Sequence, residues 1–228
     1  YIALIVLSYP AVEGNTELDE LLADYPDALL AAMGIAEGTS LTSPAGYLDS
    51  QLFALIFPMI LIVHAVSAAA STIGGEEADG TMELLLSHPV SRRRVLAEKT
   101  LAVAATTTIL GGASTLVTWA GCLAIGMDLD SVDLLVTCLA ATLLAVAFGM
   151  VALATTAAGA SRGAALGAGI GVAMATFLVS SLAGFVGFFD ALRPFSPFAW
   201  YADLAALAQG SFSVPDLLLL VGLAVVAV

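Results

Sequence analysis

The residues able to do chemistry in this sequence are few, and their spacing excludes more than it offers. A phosphate loop needs G-x-x-x-x-G-K-[ST], whose backbone amides and lysine cradle a nucleotide. The only lysine, Lys99, follows Glu98 with no glycine nearby, so this chain cannot hold ATP in that manner. The two histidines, His64 and His88, stand far apart and no H-E-x-x-H occurs, which removes the helical zinc-hydrolase arrangement. Neither a paired Ser/His nor a paired Asp set appears at catalytic spacing. His64 lies near the middle of a long apolar run, where an ionisable side chain is by default a functional candidate. No acid falls within a complete apolar run to pair with it, so the competing reading is a neutral histidine bonded to a neighbouring helix. Cys122 and Cys138 lie at similar depth on either side of a short connection and could face one another, although free cysteines commonly serve as small buried hydrophobes.

These residues are carried by elements that only a membrane can accommodate. Sixty per cent of the 228 residues are hydrophobic and 11% are charged, against roughly 45–50% and 25% in a soluble domain. Charge-free runs at Ser50–Gly75, Thr100–Met127, Leu134–Ser161 and Gly163–Phe189 each exceed the roughly 20 residues that cross a bilayer core as a helix. They do not alternate in polarity as barrel strands do, so the fold class is an all-α polytopic membrane protein. Residues 1–12 and 214–228 are apolar but short, which predicts a six-helix protein whose first and last helices are truncated here. A cleaved signal peptide is disfavoured, since residues 1–12 carry neither a basic leader nor a small-residue cleavage site.

The expected order is a partial first span (1–12), an outer loop (13–49), spans at 50–74, 100–127, 133–158 and 163–189 with a cytoplasmic segment at 75–99, an outer segment at 190–213 and a partial last span (214–228). Small residues, including Gly111, Gly112, Gly121, Gly149 and Gly159, suit close helix approach. Gly163, Gly167 and Gly171 form a small-xxx-small stripe, read as packing within the monomer ahead of a dimer interface. Arg92, Arg93, Arg94, Lys99 and Arg162 place their two loops in the cytoplasm; Arg193 is the exception. Glu13, Glu17, Asp19, Glu20, Asp24, Asp27, Glu37 and Asp49 make the first outer loop anionic, without metal-ligand spacing. With a net charge of −13 and one lysine to five arginines, the composition suggests a salt-adapted, halophilic source.

One segment carries a specific pattern. From Gly74 the chain reads Gly-Gly-Glu-Glu-Ala-Asp-Gly-Thr-Met-Glu-Leu-Leu-Leu-Ser-His-Pro-Val-Ser-Arg-Arg-Arg. Met82, Leu85 and Leu86 recur at helical spacing as one apolar stripe, while Glu76, Gly80, Glu83 and Ser87 share another face. Pro89 ends this short helix, and Ser91 can cap a new one starting at Arg92. The acids Glu76, Glu77, Asp79 and Glu83 would be repelled by anionic lipid, which favours a protein groove over the membrane surface.

The run Glu76-Glu77-x-x-Gly80-Thr81-x-Glu83-x-Leu85-Leu86-Ser87-x-Pro89-Val90-Ser91-Arg92, followed by Lys99, resembles the signature of ABC-2 type ABC transporter permeases. Ser161-Arg162 and Phe195-Ser196-Pro197-Phe198-x-x-Tyr201 with Gly210 are similar to the same family. The resemblance implies a membrane permease, most often an exporter, that pairs with a second permease, identical or homologous, each docking on a cytoplasmic ATPase subunit, two copies per complex. It implies that Glu76, Glu77, Gly80, Thr81, Met82, Glu83, Leu85, Leu86, Ser87, Pro89 and Arg92 contact that ATPase as a coupling helix. ATP and Mg would sit on the partner; this chain would bind no cofactor, no metal and no nucleic acid. Segment 190–213 would be a partly re-entrant element or a surface loop. The chain is thus expected in the cell membrane as a multi-pass subunit, not an enzyme by itself, with 13–49 outside and 75–99 in the cytoplasm. His64 and the glycine stripe are candidates for the pathway or a helix interface. An ion-coupled secondary transporter and a non-transporting membrane scaffold or intramembrane enzyme are the competing functions.

Overall fold

A computed structural model describes residues 1–15, 25–26, 42–78, 91–205 and 214–226. Among the described residues every regular element is helical: α1 (Ile2–Ser8), α2 (Pro44–Leu48), α3 (Ile56–Ala78), α4 (Arg92–Ile125), α5 (Ser131–Ala157), α6 (Arg162–Leu182), α7 (Gly187–Leu192), α8 (Pro197–Leu204) and α9 (Val214–Val226). Among the described residues four helical stretches are long and apolar enough to cross a membrane, Pro44–Thr72, Arg93–Ile125, Ser131–Ala157 and Arg162–Leu182. Two shorter apolar helices lie at Ile2–Ala11 and Pro215–Ala224.

Helix boundaries follow local chemistry. Ser91, Asp130, Ser161 and Ser196 each turn a side-chain oxygen onto an amide of the first turn, at Arg94, Val132, Ala164 and Ala199. Gly126 closes α4 in the left-handed region at φ +71°, where a side chain would strain the backbone. At 34 residues α4 is about 50 Å long, so it outruns the ~30 Å hydrocarbon core and carries its basic first turns past the apolar layer.

Two boundaries differ from the sequence reading. The helix of the second span starts at Pro44, not near residue 50, because Ser43 caps it and α2 passes through a wide turn at Asp49–Phe53 toward α3. Asp49, expected in the outer loop, therefore belongs to a span, and the statement that no acid falls within one is corrected. In the fifth span the helix ends at Leu182, short of Phe189, where Gly184 at φ +93° reverses the chain before α7.

The core is organised around α5, which packs on α3, α4, α6, α8 and α9. Leu134, Leu144, Phe148, Met150 and Leu153 of α5 are fully buried together with Leu61 and Ile62 of α3. Buried threonines satisfy their hydroxyls on their own helix: Thr137 on Asp133, Thr142 on Cys138 and Thr156 on Leu153, at 2.8–2.9 Å. Leu101, Ile109, Leu116 and Leu123 of α4 instead stand outward, as an apolar surface facing lipid or another subunit.

Candidate functional site

The motif-bearing segment lies between α3 and α4. Glu76 and Glu77 lie in the last turn of α3, and Arg92 is the first residue of α4, capped by Ser91. Gly80, Thr81, Met82, Glu83, Leu85, Leu86, Ser87 and Pro89 lie outside the described residues. On the α4 side, Arg94 is tied to Glu98 by a 3.0 Å ion pair one turn on, with both side chains exposed.

The family model for ABC-2 family transporter protein matches residues 3–227. The chain belongs to the ABC-2 transporter family. It is therefore the permease subunit of an ABC transporter, a multi-pass membrane protein that associates with an ABC ATPase. This assignment sets aside the secondary-transporter and scaffold readings. No curated protein and no solved structure matches the chain.

In this permease the glycine stripe packs on none of the described residues. A Cβ at Gly163, Gly167 or Gly171 would meet nothing within 4 Å. Close approach falls instead at Gly169, where a Cβ would come within 2.7 Å of Val66 on α3, and at Gly149, within 3.0 Å of Ala65 and 3.3 Å of Val103. Gly111 meets Thr142 and Gly121 meets Val6 in the same way, whereas Gly112 has open space and Gly159 sits in a turn at φ +92°. The expectation of monomer packing through the stripe is thus corrected.

His64 Nε2 is buried and, among the described residues, has no hydrogen-bond partner, and the same holds for the Oγ1 atoms of Thr100 and Thr107. His64 adjoins Ala65 of α3 in sequence, and Thr100 and Thr107 lie about one turn to either side of Val103 on α4. A buried polar atom without a partner costs about 1–3 kcal/mol. His64→Leu is therefore expected to leave the thermal midpoint of the detergent-solubilised protein unchanged or raised; a clear fall would reveal a hydrogen bond that this arrangement lacks.

At the end of the bundle where α5 begins and α6 finishes, the chain from Phe185 to Phe195 is largely exposed, whereas α8 after it is buried. Pro197, Phe198, Ala199, Tyr201 and Leu204 of α8 are buried. Phe198 packs on Phe148, Phe177 and Tyr201 with ring centroids 5.5–6.3 Å apart. Ser196 Oγ donates to the Thr176 carbonyl of α6 at 2.7 Å. The Tyr201 hydroxyl donates to the Phe53 carbonyl, also at 2.7 Å, across 148 residues of sequence. Burial, with the nearby Asp49 carboxylate and Cys138 thiol adding to it, pushes the Tyr201 phenol well above its usual range, so it stays a neutral donor. Asp49 itself is only 8% exposed. The sequence reading offers a partly re-entrant element or a surface loop for 190–213 and includes Tyr201 in the family-like motif, but names none of these residues as a candidate site.

The other face of α8 opens on a cavity of about 440 Å³ lined by Asp190, Arg193, Trp200, Asp203 and Asp216. Arg193, the exception in the charge distribution, pairs there with Asp203 at 2.7 Å. Cys122 and Cys138 are free and buried.

Proposed function

We propose that this permease is an exporter subunit and that Glu76–Ser87 is its coupling helix, held by a cytoplasmic ATPase subunit in a complex of two such ATPases and two permeases. The observation that carries the reading is the continuity of the flanking helices. From Ile56 to Ala78 and from Arg92 to Ile125 the backbone is unbroken helix, about 35 and 50 Å long. A force applied to the segment between them is delivered to both, and through Ala65 and Val103 to α5 at Gly149. Closure of two ATP-bound subunits would then draw two coupling helices together, tilt the second and third spans and change access to a cavity between permeases.

In this reading 75–99 faces the cytoplasm and 13–49 and 190–213 face outside. His64, Thr100 and Thr107, whose buried polar atoms lack partners among the described residues, line or border the pathway. The outward stripe Gly163, Gly167 and Gly171 meets the second permease, identical or homologous, where small side chains permit close approach. ATP and Mg stay on the ATPase. The acidic composition, −13 overall, supports a salt-adapted habitat.

Docking and coupling are separable by mutation. Met82, Leu85 and Leu86 supply apolar burial, roughly 1.5–3 kcal/mol for each fully buried side chain, while Glu76 and Glu83 supply charge-assisted hydrogen bonds. Glu76→Ala with Glu83→Ala is expected to lower transport per ATP hydrolysed in reconstituted vesicles more than it lowers ATPase co-purification. A double variant that transports at the wild-type ratio would refute the coupling-helix assignment.

A further inference from the structure

We infer that the Tyr201 hydroxyl is a latch: it holds α8 against a wide turn in the second span, and its release lets that turn rewind and carry Asp49 out of the core. The inference leans on the permease reading only in assigning the motion to a transport cycle.

The turn is a weak point in an otherwise regular helix. Across Asp49–Phe53 the backbone is π-helical, with the Ala54 amide donating to the Asp49 carbonyl at 2.7 Å. Such a turn holds one residue more than an α-turn and persists where surroundings favour it. Four residues beyond Ala54 stands Pro58, which has no amide hydrogen to give the Ala54 carbonyl, so the ladder is interrupted a second time within one helical turn. Between these two defects lies the Phe53 carbonyl, and that is the oxygen Tyr201 bonds at 2.7 Å.

The latch has its own seat. Ser196 ties the start of α8 to α6 and Phe198 packs against Phe148 and Phe177, so the phenol arrives from a fixed platform. What it holds in place is costly. Asp49 opens the π-turn at 8% exposure, between Leu48 and Leu52, which are completely buried. A carboxylate at such a place is retained against its desolvation. Rewinding the turn by one residue rotates everything before it by about 100° relative to α3. Asp49 would leave its buried position, and its exposure reports the state of the turn.

The test uses the full-length protein in lipid nanodiscs, where both faces are reachable, with Cys122→Ala and Cys138→Ala removing the native thiols. Asp49→Cys should react slowly with a bulky charged maleimide. Adding Tyr201→Phe should accelerate the reaction roughly two- to tenfold, the span of one neutral hydrogen bond. Trp200→Phe is the control, because the Trp200 ring N–H donates to the Pro194 carbonyl within the same segment and does not reach the second span. An unchanged rate in Tyr201→Phe, or equal acceleration by Trp200→Phe, overturns the latch. Should Tyr201→Phe fail to assemble, the wild type decides: in a complex shown to transport, a non-hydrolysable ATP analogue must speed amide exchange at residues 50–57, and no change overturns the proposal. A wild-type complex that shows no ATP-driven transport would count against the permease reading and leave the nanodisc result standing.

Discussion

Gly149→Leu is expected to be among the most damaging single substitutions in this permease, lowering the thermal midpoint in detergent by several degrees and reducing the folded protein recovered from membranes. A Cβ there would lie 3.0 Å from Ala65 Cβ, 3.3 Å from Val103 and 3.4 Å from the Ala65 backbone. Val103 can rotate away, but Ala65 has no rotamer to yield and its backbone belongs to α3. The two most extensively packed helices must therefore separate at their crossing. Overpacking of this kind costs about 1–3 kcal/mol, occasionally more, out of a total near 5–15 kcal/mol. Gly167→Leu is the matched control: it adds the same atoms where nothing lies within 4 Å, and its effect on the isolated chain should stay within about 0.5 kcal/mol. Differential scanning fluorimetry of the two variants checks the claim; equal loss of stability would show that Gly167 is packed within the chain. Loss of permease pairing by Gly167→Leu at unchanged monomer stability would support the stripe as the second permease's contact.

Gly80→Trp should have the other large effect, and on assembly instead of folding. Position 80 lies one turn after Glu76 on the polar face of the proposed coupling helix, where the groove of an ATPase leaves no room for an indole. No span is touched, so the protein should reach the membrane at normal levels. A pull-down of the ATPase should lose most of its signal, and ATP-driven transport should fall with it. Undiminished co-purification would mean that this face of the segment meets water.

Much of the architecture was legible along the chain because bilayer crossing is a local property. Any charge-free run longer than about 20 residues has to be helical and has to span, and the four complete runs correspond to the four span-length helices. Ser91 was readable as the cap of α4 for an equally local reason: its oxygen reaches an amide three residues on. The resemblance of residues 76–92 to the ABC-2 signature pointed to a permease before any contact was known, since a motif is a statement about consecutive residues.

What the tertiary structure decided is which face each helix turns inward and where distant segments meet. Gly163, Gly167 and Gly171 share one face of α6 at four-residue spacing, but the spacing holds whether that face meets a neighbour or not. Gly169, two residues on from Gly167, points about 200° away, and that is the face α3 occupies, with Val66 against it. Hydropathy could not choose between them, because in a membrane both faces are apolar. Asp49 was read as loop for the opposite reason: a charge ends a hydrophobic run on any scale, while its burial is set by the packing of a turn in which Leu48 and Leu52 are also buried and to which Tyr201 comes close. The hydrogen bond from Tyr201 to Phe53 joins residues 148 apart. Only the packing of α8 into the end of the bundle brings that hydroxyl to a carbonyl in a span it does not follow.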